Sequence, residues 1–432
     1  MFSLLNCDIL KTMPELSYFM VFTIQVLVFS SIYFAILRIS PKWLTSKVYF
    51  LSALSVILGL QIFLASRLQH QVGDVMLFEG AGYYYRYHTD FYFIDADHSQ
   101  YPFFPLLIFL HAVLNKIVVA TGQFNFSFYL KVCMTPLLLF LGYKSVSVNQ
   151  ALDKTADRIL PPLKSWQRQE LLLFLTHPIT TMVVYFHGQV DVFLLFFLVW
   201  GWWALFHPSR QWRYWLLGAG LMALSIASKT WSVLVLPYAF LLERDWLKRL
   251  GLPVMILGGL GSLIFLYTRT VFGSSFRTVL AAVSQAGGPM EIWGVTVLLP
   301  PLAQLNPQLL TYGYLGLVGL ISILVWYKHH SGWRSIFLII LGAVLISPRF
   351  GIQYLFWFVP LVYAAGLAKQ RHFFVFTCLG ALYAYGNYLN TREGMKLVSP
   401  ELLEVLGLAV WLHLTYWWQQ LFRAVQYTDK PE

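Results

Sequence analysis

Long apolar runs recur along almost the whole chain and constrain its fold more than any other feature. A helix that crosses the hydrocarbon core of a bilayer needs about 20 predominantly apolar residues. Runs that meet or approach this length are found near residues 17–37, 47–66, 127–147, 169–187, 190–207, 214–228, 230–243, 250–270, 310–327, 334–348, 353–368, 372–389 and 402–422. The sequence therefore predicts an all-α integral membrane protein, a multi-spanning helical bundle of about 13 spans that forms a single transmembrane domain over residues 1–432.

The composition supports this class. Hydrophobic residues make up 58% of the chain and charged residues 11%. Soluble domains average about 45–50% and about 25%, respectively, so this chain cannot hide its apolar surface in one water-soluble core. The net charge is +11, but the Lys and Arg residues are scattered over the short loops between apolar runs. We therefore predict the lipid bilayer as a partner and do not predict nucleic acid.

The basic residues also orient the predicted spans. Loops on the cytoplasmic side of a membrane carry an excess of Lys and Arg. If the loop 38–46 is cytoplasmic, 19 of the 30 basic residues collect on that side. Residues 67–126 then form a large first extracytoplasmic or lumenal loop, rich in acids and aromatics, with an interfacial helix at 102–120. The loops 269–309 and 390–401 face the same side.

Acidic and aromatic residues interrupt the apolar pattern between positions 73 and 105, GDVMLFEGAGYYYRYHTDFYFIDADHSQYPFFP. Asp74 directly follows Gly73 at the mouth of the second predicted span, where a carboxylate can reach water on one side and low dielectric on the other. Such a carboxylate suits a general base, because partial burial makes it a better proton acceptor while it stays ionised. The alternative is that Asp74 only caps a helix that starts at Val75.

A second acidic pattern lies later in the same segment. Asp95 and Asp97 form an Asp-x-Asp pair followed by His98, a combination that can hold a divalent cation such as Mg²⁺ or Mn²⁺ beside a phosphate. A solvated turn is the alternative, and no other cofactor is predicted. Tyr101 opens the sequence Tyr-Pro-Phe-Phe-Pro, whose prolines predict a rigid, extended start to the interfacial helix. Tyr101 is also a candidate substrate-binding residue.

Ionisable residues inside the later apolar runs are candidate functional residues, because a charged group is costly within a membrane. His187, Gln189 and Asp191 interrupt one run, either as substrate-binding groups or as a hydrogen-bonded polar plug between helices. Lys229 lies in ASKTWSVLVLP, between two short apolar halves that predict a broken or re-entrant element, and its ammonium could neutralise a phosphate. Three more polar residues near the same face are candidate substrate contacts or interfacial anchors: Arg277, Arg349 and Gln353.

Four separated motifs resemble one family in their order and spacing. GDVMLFEGAGYYYRY followed by QYPFFPLL resembles the first extracytoplasmic loop of the multi-spanning glycosyltransferases of the C-type fold, which use polyprenyl-phosphate sugars. THPITTMVVYFHGQVDVFLLFFLVW is similar to the Asn-Pro and His-Gly-Gln-x-Asp region of their polyprenol-phosphate-mannose-dependent and GPI mannosyltransferases, with His177 where Asn is commoner. ASKTWSVLVLPYAFLLE and SPRFGIQYLFWFVPL are similar to the family's Lys-containing and Trp-x-x-Pro spans. The resemblance covers about residues 50–370.

The resemblance implies a membrane glycosyltransferase that moves a monosaccharide, with mannose as the leading expectation, from a polyprenyl-phosphate donor to a glycan, lipid or protein acceptor with inversion. It carries over Asp74 as the catalytic base and Lys229 as a phosphate contact. It implies a site on the extracytoplasmic face of a bacterial plasma membrane or, alternatively, on the lumenal face of the endoplasmic reticulum. The extra predicted span 17–37 and the late Asp-x-Asp pair depart from the family. A polytopic lipid or solute transporter is the alternative function.

Overall fold

The structure is a computed structural model of the chain. It describes residues 15–67, 73–94, 103–148, 160–285, 304, 306–329, 332–348, 351–390 and 397–424. Over these ranges the regular secondary structure is helical and includes no β-strand, which confirms the predicted all-α architecture. The α-helices are α1 (Glu15–Arg38), α2 (Lys47–Arg67), α3 (Gly73–Arg86), α4 (Phe91–Ile94), α5 (Leu106–Thr121), α6 (Phe126–Ser147), α7 (Ser165–Thr176), α8 (Asp191–Leu205), α9 (Trp212–Ser228), α10 (Leu236–Leu242), α11 (Trp246–Thr270), α12 (Phe276–Gln285), α13 (Pro307–His329), α14 (Trp333–Leu345), α15 (Tyr354–Ala364), α16 (Arg371–Asn390) and α17 (Pro400–Ala424).

Five stretches of helix in the described part of the chain are long and apolar enough to cross a membrane: Met20–Arg38, Lys47–Arg67, Phe126–Ser147, Trp246–Thr270 and Leu309–Lys328. Shorter apolar helices accompany them, among them α5, α8, α14 and α15. The chain is therefore an all-α integral membrane protein, as predicted. The predicted total of about 13 spans stays a prediction, because several of the apolar runs fold into short or interrupted helices.

The run predicted as one span over 169–187 is interrupted. Helix α7 ends at Thr176, since Pro178 restricts the backbone of His177 and cannot donate to the preceding turn. A single turn, Pro178–Thr180, and a π-helical segment, Thr181–Phe186, follow. The 12 residues of α7 cover only about 18 Å, less than the roughly 30 Å of a hydrocarbon core.

The interruption predicted at Ser228-Lys229-Thr230 is confirmed. Helix α9 ends at Ser228, and Lys229 has an extended backbone with φ −162° and ψ 130°. A 3₁₀ segment, Thr230–Val235, then leads into α10. The Lys229 amide still donates to the Ser225 carbonyl at 3.0 Å, which closes the last turn of α9, and the extended backbone of Lys229 ends the helix there. The break thereby places the Lys229 side chain at a helix end inside the protein.

The predicted loop 67–126 is largely helical where the structure describes it. Helix α3 begins at Gly73, so Asp74 belongs to its first turn and does not precede the helix as the capping alternative required. Helices α3 and α5 pack closely because Gly82 has no side chain. A Cβ atom at Gly82 would lie 2.4 Å from the backbone carbon of His111. This close packing holds the C-terminal half of α3 against α5.

Burial divides the bundle into a core and a periphery. Helix α15 is buried along its whole length, and α14 is buried from Ser335 to Leu345. In contrast, α2, α11 and α13 expose large apolar side chains such as Val56, Leu257 and Tyr312. Exposed apolar faces of this kind suit lipid contact. The two interrupted segments lie against the buried helices, so their polar residues are in the interior of the bundle.

Candidate functional site

Three sequence-predicted residues form one hydrogen-bonded chain. The amide Nε2 of Gln189 donates to Oδ2 of Asp74 through a short contact and also lies 2.7 Å from Nδ1 of His187. An amide nitrogen only donates, so Nδ1 must accept, and the neutral imidazole then carries its proton on Nε2. Gln189 is buried, whereas Asp74 and His187 are partly buried. These hydrogen bonds thus orient the Asp74 carboxylate at the edge of the protein interior.

The backbone around Gly188 explains how Gln189 reaches Asp74. The π-helical segment ends with a hydrogen bond from the His187 amide to the Met182 carbonyl, and the Gln189 amide donates to the Val183 carbonyl. Gly188 then adopts a φ of +73°, a conformation that glycine adopts at no steric cost. A Cβ at Gly188 would lie 2.9 Å from Cγ2 of Val75, so this turn is pressed against the first turn of α3.

Asp191 and Lys229 form a second polar group in the interior. Nζ of Lys229 lies 3.0 Å from Oδ1 and 3.1 Å from Oδ2 of Asp191, and Nε1 of Trp357 donates to Oδ1 at 2.6 Å. Asp191 is fully buried and Lys229 nearly so. The pair joins the first residue of α8 to the break after α9. Because both charges are removed from water, each depends on the other for compensation.

Aromatic side chains surround both polar groups. The ring centroids of Phe103, Tyr354 and Trp357 lie 5.8, 5.6 and 5.8 Å from Nζ of Lys229. The ring of Tyr388, from α16, packs on His187 with 5.1 Å between centroids. Cations are stabilised over aromatic faces at such distances, most strongly where water is excluded. These aromatic rings therefore contribute to a surrounding of low dielectric for the charged side chains.

An apolar cavity borders the ion pair. The cavity is small, about 10 Å³, and is lined by residues that include Leu194, Leu198, Trp231 and Trp357. Trp357 belongs to both features, since its indole nitrogen binds Asp191 while its ring faces the cavity. The ion pair is thus bordered on this side by hydrocarbon, which strengthens every electrostatic interaction within the cluster.

Sequence reasoning missed Lys131, which lies beside the same cluster. Lys131 is on α6 and has only 1% of its surface exposed. Its Cε would be 3.6 Å from a Cβ at Gly188, and His187 is within electrostatic reach of Lys131 as well as of Asp74, Asp191 and Lys229. A lone lysine in the apolar run FSFYLKVCMTPLLLFL was the signal that could have identified it.

A polar network fixes the position of α6 below this lysine. Thr135 donates from Oγ1 to the carbonyl oxygen of Lys131 at 3.0 Å. The hydroxyl of Tyr185 is 3.1 Å from Oγ1 of Thr135 and 3.0 Å from Oε1 of Gln61, and Gln61 donates to the Leu175 carbonyl at 2.8 Å. Helices α2, α6 and α7 and the π-helical segment are therefore joined by buried hydrogen bonds directly beside the charged cluster.

The remaining predicted site residues are not gathered in this cluster. Arg277 lies exposed on α12. Gln353 precedes Tyr354, whose ring faces Lys229, but its own amide turns back toward Gly351, where a Cβ would lie 2.6 Å away. Four predicted residues lie outside the described residues, so their roles stay predictions: Asp95, Asp97, Tyr101 and Arg349. Within the described part of the chain, no group of three or more His, Cys, Asp or Glu residues could hold a metal ion.

Comparison with known proteins identifies no relative. No protein-family model, no curated protein and no solved structure matches the chain. The resemblance of the four motifs to polyprenyl-phosphate-sugar glycosyltransferases therefore remains a prediction. What the geometry provides is a partly buried carboxylate, two buried lysines, a second carboxylate and a neutral imidazole in one interior cluster. Such a set can accept a proton and can compensate the charge of an anionic ligand.

Proposed function

We propose that the protein is a membrane glycosyltransferase of the C-type fold that uses a polyprenyl-phosphate monosaccharide as donor. Mannose is the leading sugar, and the acceptor is a hydroxyl of a glycan, lipid or protein on the extracytoplasmic or lumenal face. The observation that carries the proposal is the position of Asp74. Its carboxylate is held by Gln189 at the edge of a buried cluster that also contains two lysines. The order of the four sequence motifs supports the same assignment.

The proposed reaction is a direct displacement at the anomeric carbon. Asp74 takes the proton of the acceptor hydroxyl as its oxygen forms a bond to that carbon. The bond between the anomeric carbon and the phosphate oxygen breaks, and its electron pair stays on the polyprenyl phosphate. Attack from the face opposite the leaving group inverts the anomeric configuration. The carboxylate contributes by general-base catalysis, and the cations contribute by stabilising the charge that develops on the phosphate.

The other predicted residues have defined places in this reaction. Gln189 orients the Asp74 carboxylate by donating to it, and His187 in turn positions the Gln189 amide. Asp191 and Trp357 hold the Lys229 ammonium, which contacts the donor phosphate in this proposal. Asp95 and Asp97 are proposed to assist through a divalent cation. We place the protein in a bacterial plasma membrane, with the endoplasmic reticulum membrane as the alternative.

A transporter is the second candidate, because paired acids and lysines inside a bundle also occur along ion and substrate pathways. The buried Asp191 and Lys229 pair is the observation that favours it. The two functions differ in their products. A transferase makes a new covalent bond, whereas a transporter returns its substrate unchanged on the other side of the membrane.

The test uses membranes from cells that produce the protein and from matched cells with an empty vector. Each preparation receives radiolabelled polyprenyl-phosphate sugars, one sugar at a time, and labelled products are separated from the donor. We expect a labelled product with an inverted linkage only in membranes that contain the protein, and most of it with mannose. Movement of intact donor across vesicles without any labelled product would overturn the proposal and support the transporter.

A further inference from the structure

Lys131 is buried beside the cluster, yet the resemblance assigns it no role. It lies on α6, 1% exposed, with its Cε against the turn at Gly188 that aims Gln189 at Asp74. Its backbone carbonyl is fixed by Thr135, which belongs to the buried network that includes Tyr185. A lysine loses much side-chain entropy and hydration on burial. The burial of Lys131 beside the turn at Gly188 therefore calls for a physical explanation.

The charges of the cluster suggest that use. Lys229 is held by both oxygens of Asp191, so this pair is neutral as a unit. Lys131 and Asp74 are then the remaining basic and acidic side chains around His187 in the described part of the chain, and Nδ1 of His187 accepts from Gln189. With both lysines charged, the four charged side chains that the structure describes in the cluster sum to zero until a proton moves.

We propose that Lys131 is a second cation, in addition to Lys229, that binds the donor phosphate and stabilises it as it leaves. This inference rests on the proposed glycosyltransferase function. When Asp74 accepts the proton of the acceptor hydroxyl, its carboxylate becomes neutral. The charge of Lys131 is then no longer balanced, and the cluster has a net charge of plus one. At the same moment the phosphodiester, with one negative charge, becomes a phosphate monoester with two. The charge released in the protein matches the charge gained on the leaving group.

A purely structural role for Lys131 predicts a different dependence. If Lys131 only compensates Asp74, then Asp74→Asn should remove the need for it, and Lys131→Met should not weaken phosphate binding in that background. If Lys131 binds the phosphate, its loss should weaken binding whether or not Asp74 is charged. A double-mutant cycle separates the two roles, because it measures the coupling between the residues.

The experiment measures binding of polyprenyl monophosphate and of the polyprenyl-phosphate sugar to purified wild type, Lys131→Met, Asp74→Asn and the double variant. Lys131→Arg keeps the charge, and Lys144→Met removes another buried lysine of the same helix, one that packs on Trp200 and Trp203 away from the cluster. We expect Lys131→Met to bind the monophosphate on the order of 10- to 100-fold more weakly in both backgrounds. The affinity for the polyprenyl-phosphate sugar should fall by a smaller factor, because this ligand carries less negative charge than the monophosphate.

Wild-type affinity in Lys131→Met, or a loss that disappears in the Asp74→Asn background, would overturn the inference. Lys131→Arg should retain most of the affinity, and Lys144→Met should bind as wild type does. If Lys131→Met does not fold, the double variant decides, since it buries neither charge. Failure of the proposed function has a separate signature: wild type itself would then neither bind the monophosphate nor form a labelled product.

Discussion

Both carboxylate oxygens of Asp191 accept hydrogen bonds from the ammonium of Lys229, at 3.1 Å or less, although 38 positions separate the two residues. The pair is buried and has Trp357 as a third partner. Lys229 therefore has a structural task as well as the proposed contact with phosphate. Any experiment on Lys229 has to separate the two, because a buried charge that loses its partner destabilises the fold.

The first prediction uses a matched double variant to separate the structural task of Lys229 from its proposed contact with phosphate. Lys229→Met leaves Asp191 buried without its counter-ion and should destabilise the protein by about 3–5 kcal/mol, measured as a lower midpoint of thermal unfolding in detergent. Asp191→Leu combined with Lys229→Met should recover most of that loss, since an apolar pair often replaces a buried ion pair without cost. If the folded double variant binds donor as wild type does, Lys229 has no phosphate role.

The second prediction concerns the close packing of α3 on α5. Gly82→Ala should destabilise the protein by about 1–3 kcal/mol, because the new methyl group would lie 2.4 Å from the His111 backbone. Gly80→Ala on the same helix is the control. Among the residues that the structure describes, its methyl group would meet only Phe91, at 4.0 Å, and alanine favours a helix more than glycine does. Equal unfolding temperatures for the two variants would contradict the described packing.

The third prediction concerns membrane orientation. A tag inserted in 67–103 should be accessible to an impermeant reagent from the outside or the lumen. Tags in 150–168 and at the C-terminus should become accessible only after the membrane is opened to the cytoplasmic side. This arrangement follows from the excess of basic residues assigned to one side. Accessibility of all three tags from the same side would exclude it.

The fourth prediction concerns Asp95 and Asp97. If they hold a divalent cation, a chelator and the double change Asp95→Ala, Asp97→Ala should lower the transfer rate to a similar extent, and added Mg²⁺ or Mn²⁺ should restore only the chelated wild type. Full activity after chelation would assign the two residues to a solvated turn.

The sequence predicted the class of the fold and most members of the cluster. Apolar runs specify helices, and ionisable residues inside them tend to lie in the interior, which is why His187, Gln189, Asp191 and Lys229 could be singled out from the sequence. Their roles as substrate-binding residues stay predictions. The number of membrane spans could not be predicted from the sequence in the same way. A helix such as α15, buried among protein side chains, is as apolar as one that faces lipid, so hydropathy does not distinguish them.

The pairing of the polar residues could not be predicted from the sequence either. The pairing depends on the turn at Gly188, where the backbone has a positive φ. After this turn Gln189 contacts Asp74, and Asp191 contacts Lys229. No periodicity in the sequence encodes that turn. Lys131 was missed for another reason: it interrupts an apolar run by the same criterion as Lys229, but no motif surrounds it.

The central claim is that the Asp74 carboxylate is the catalytic base, and one substitution tests it most directly. Asp74→Asn preserves the shape of the side chain and removes its ability to take a proton, so turnover of purified, folded enzyme should fall about 10²- to 10⁴-fold. Donor affinity should change little, because the cations that contact phosphate are untouched. Glu79→Gln, the same chemical change on the same helix, should retain turnover. Normal turnover in Asp74→Asn would contradict the account and remove Asp74 as the reaction centre.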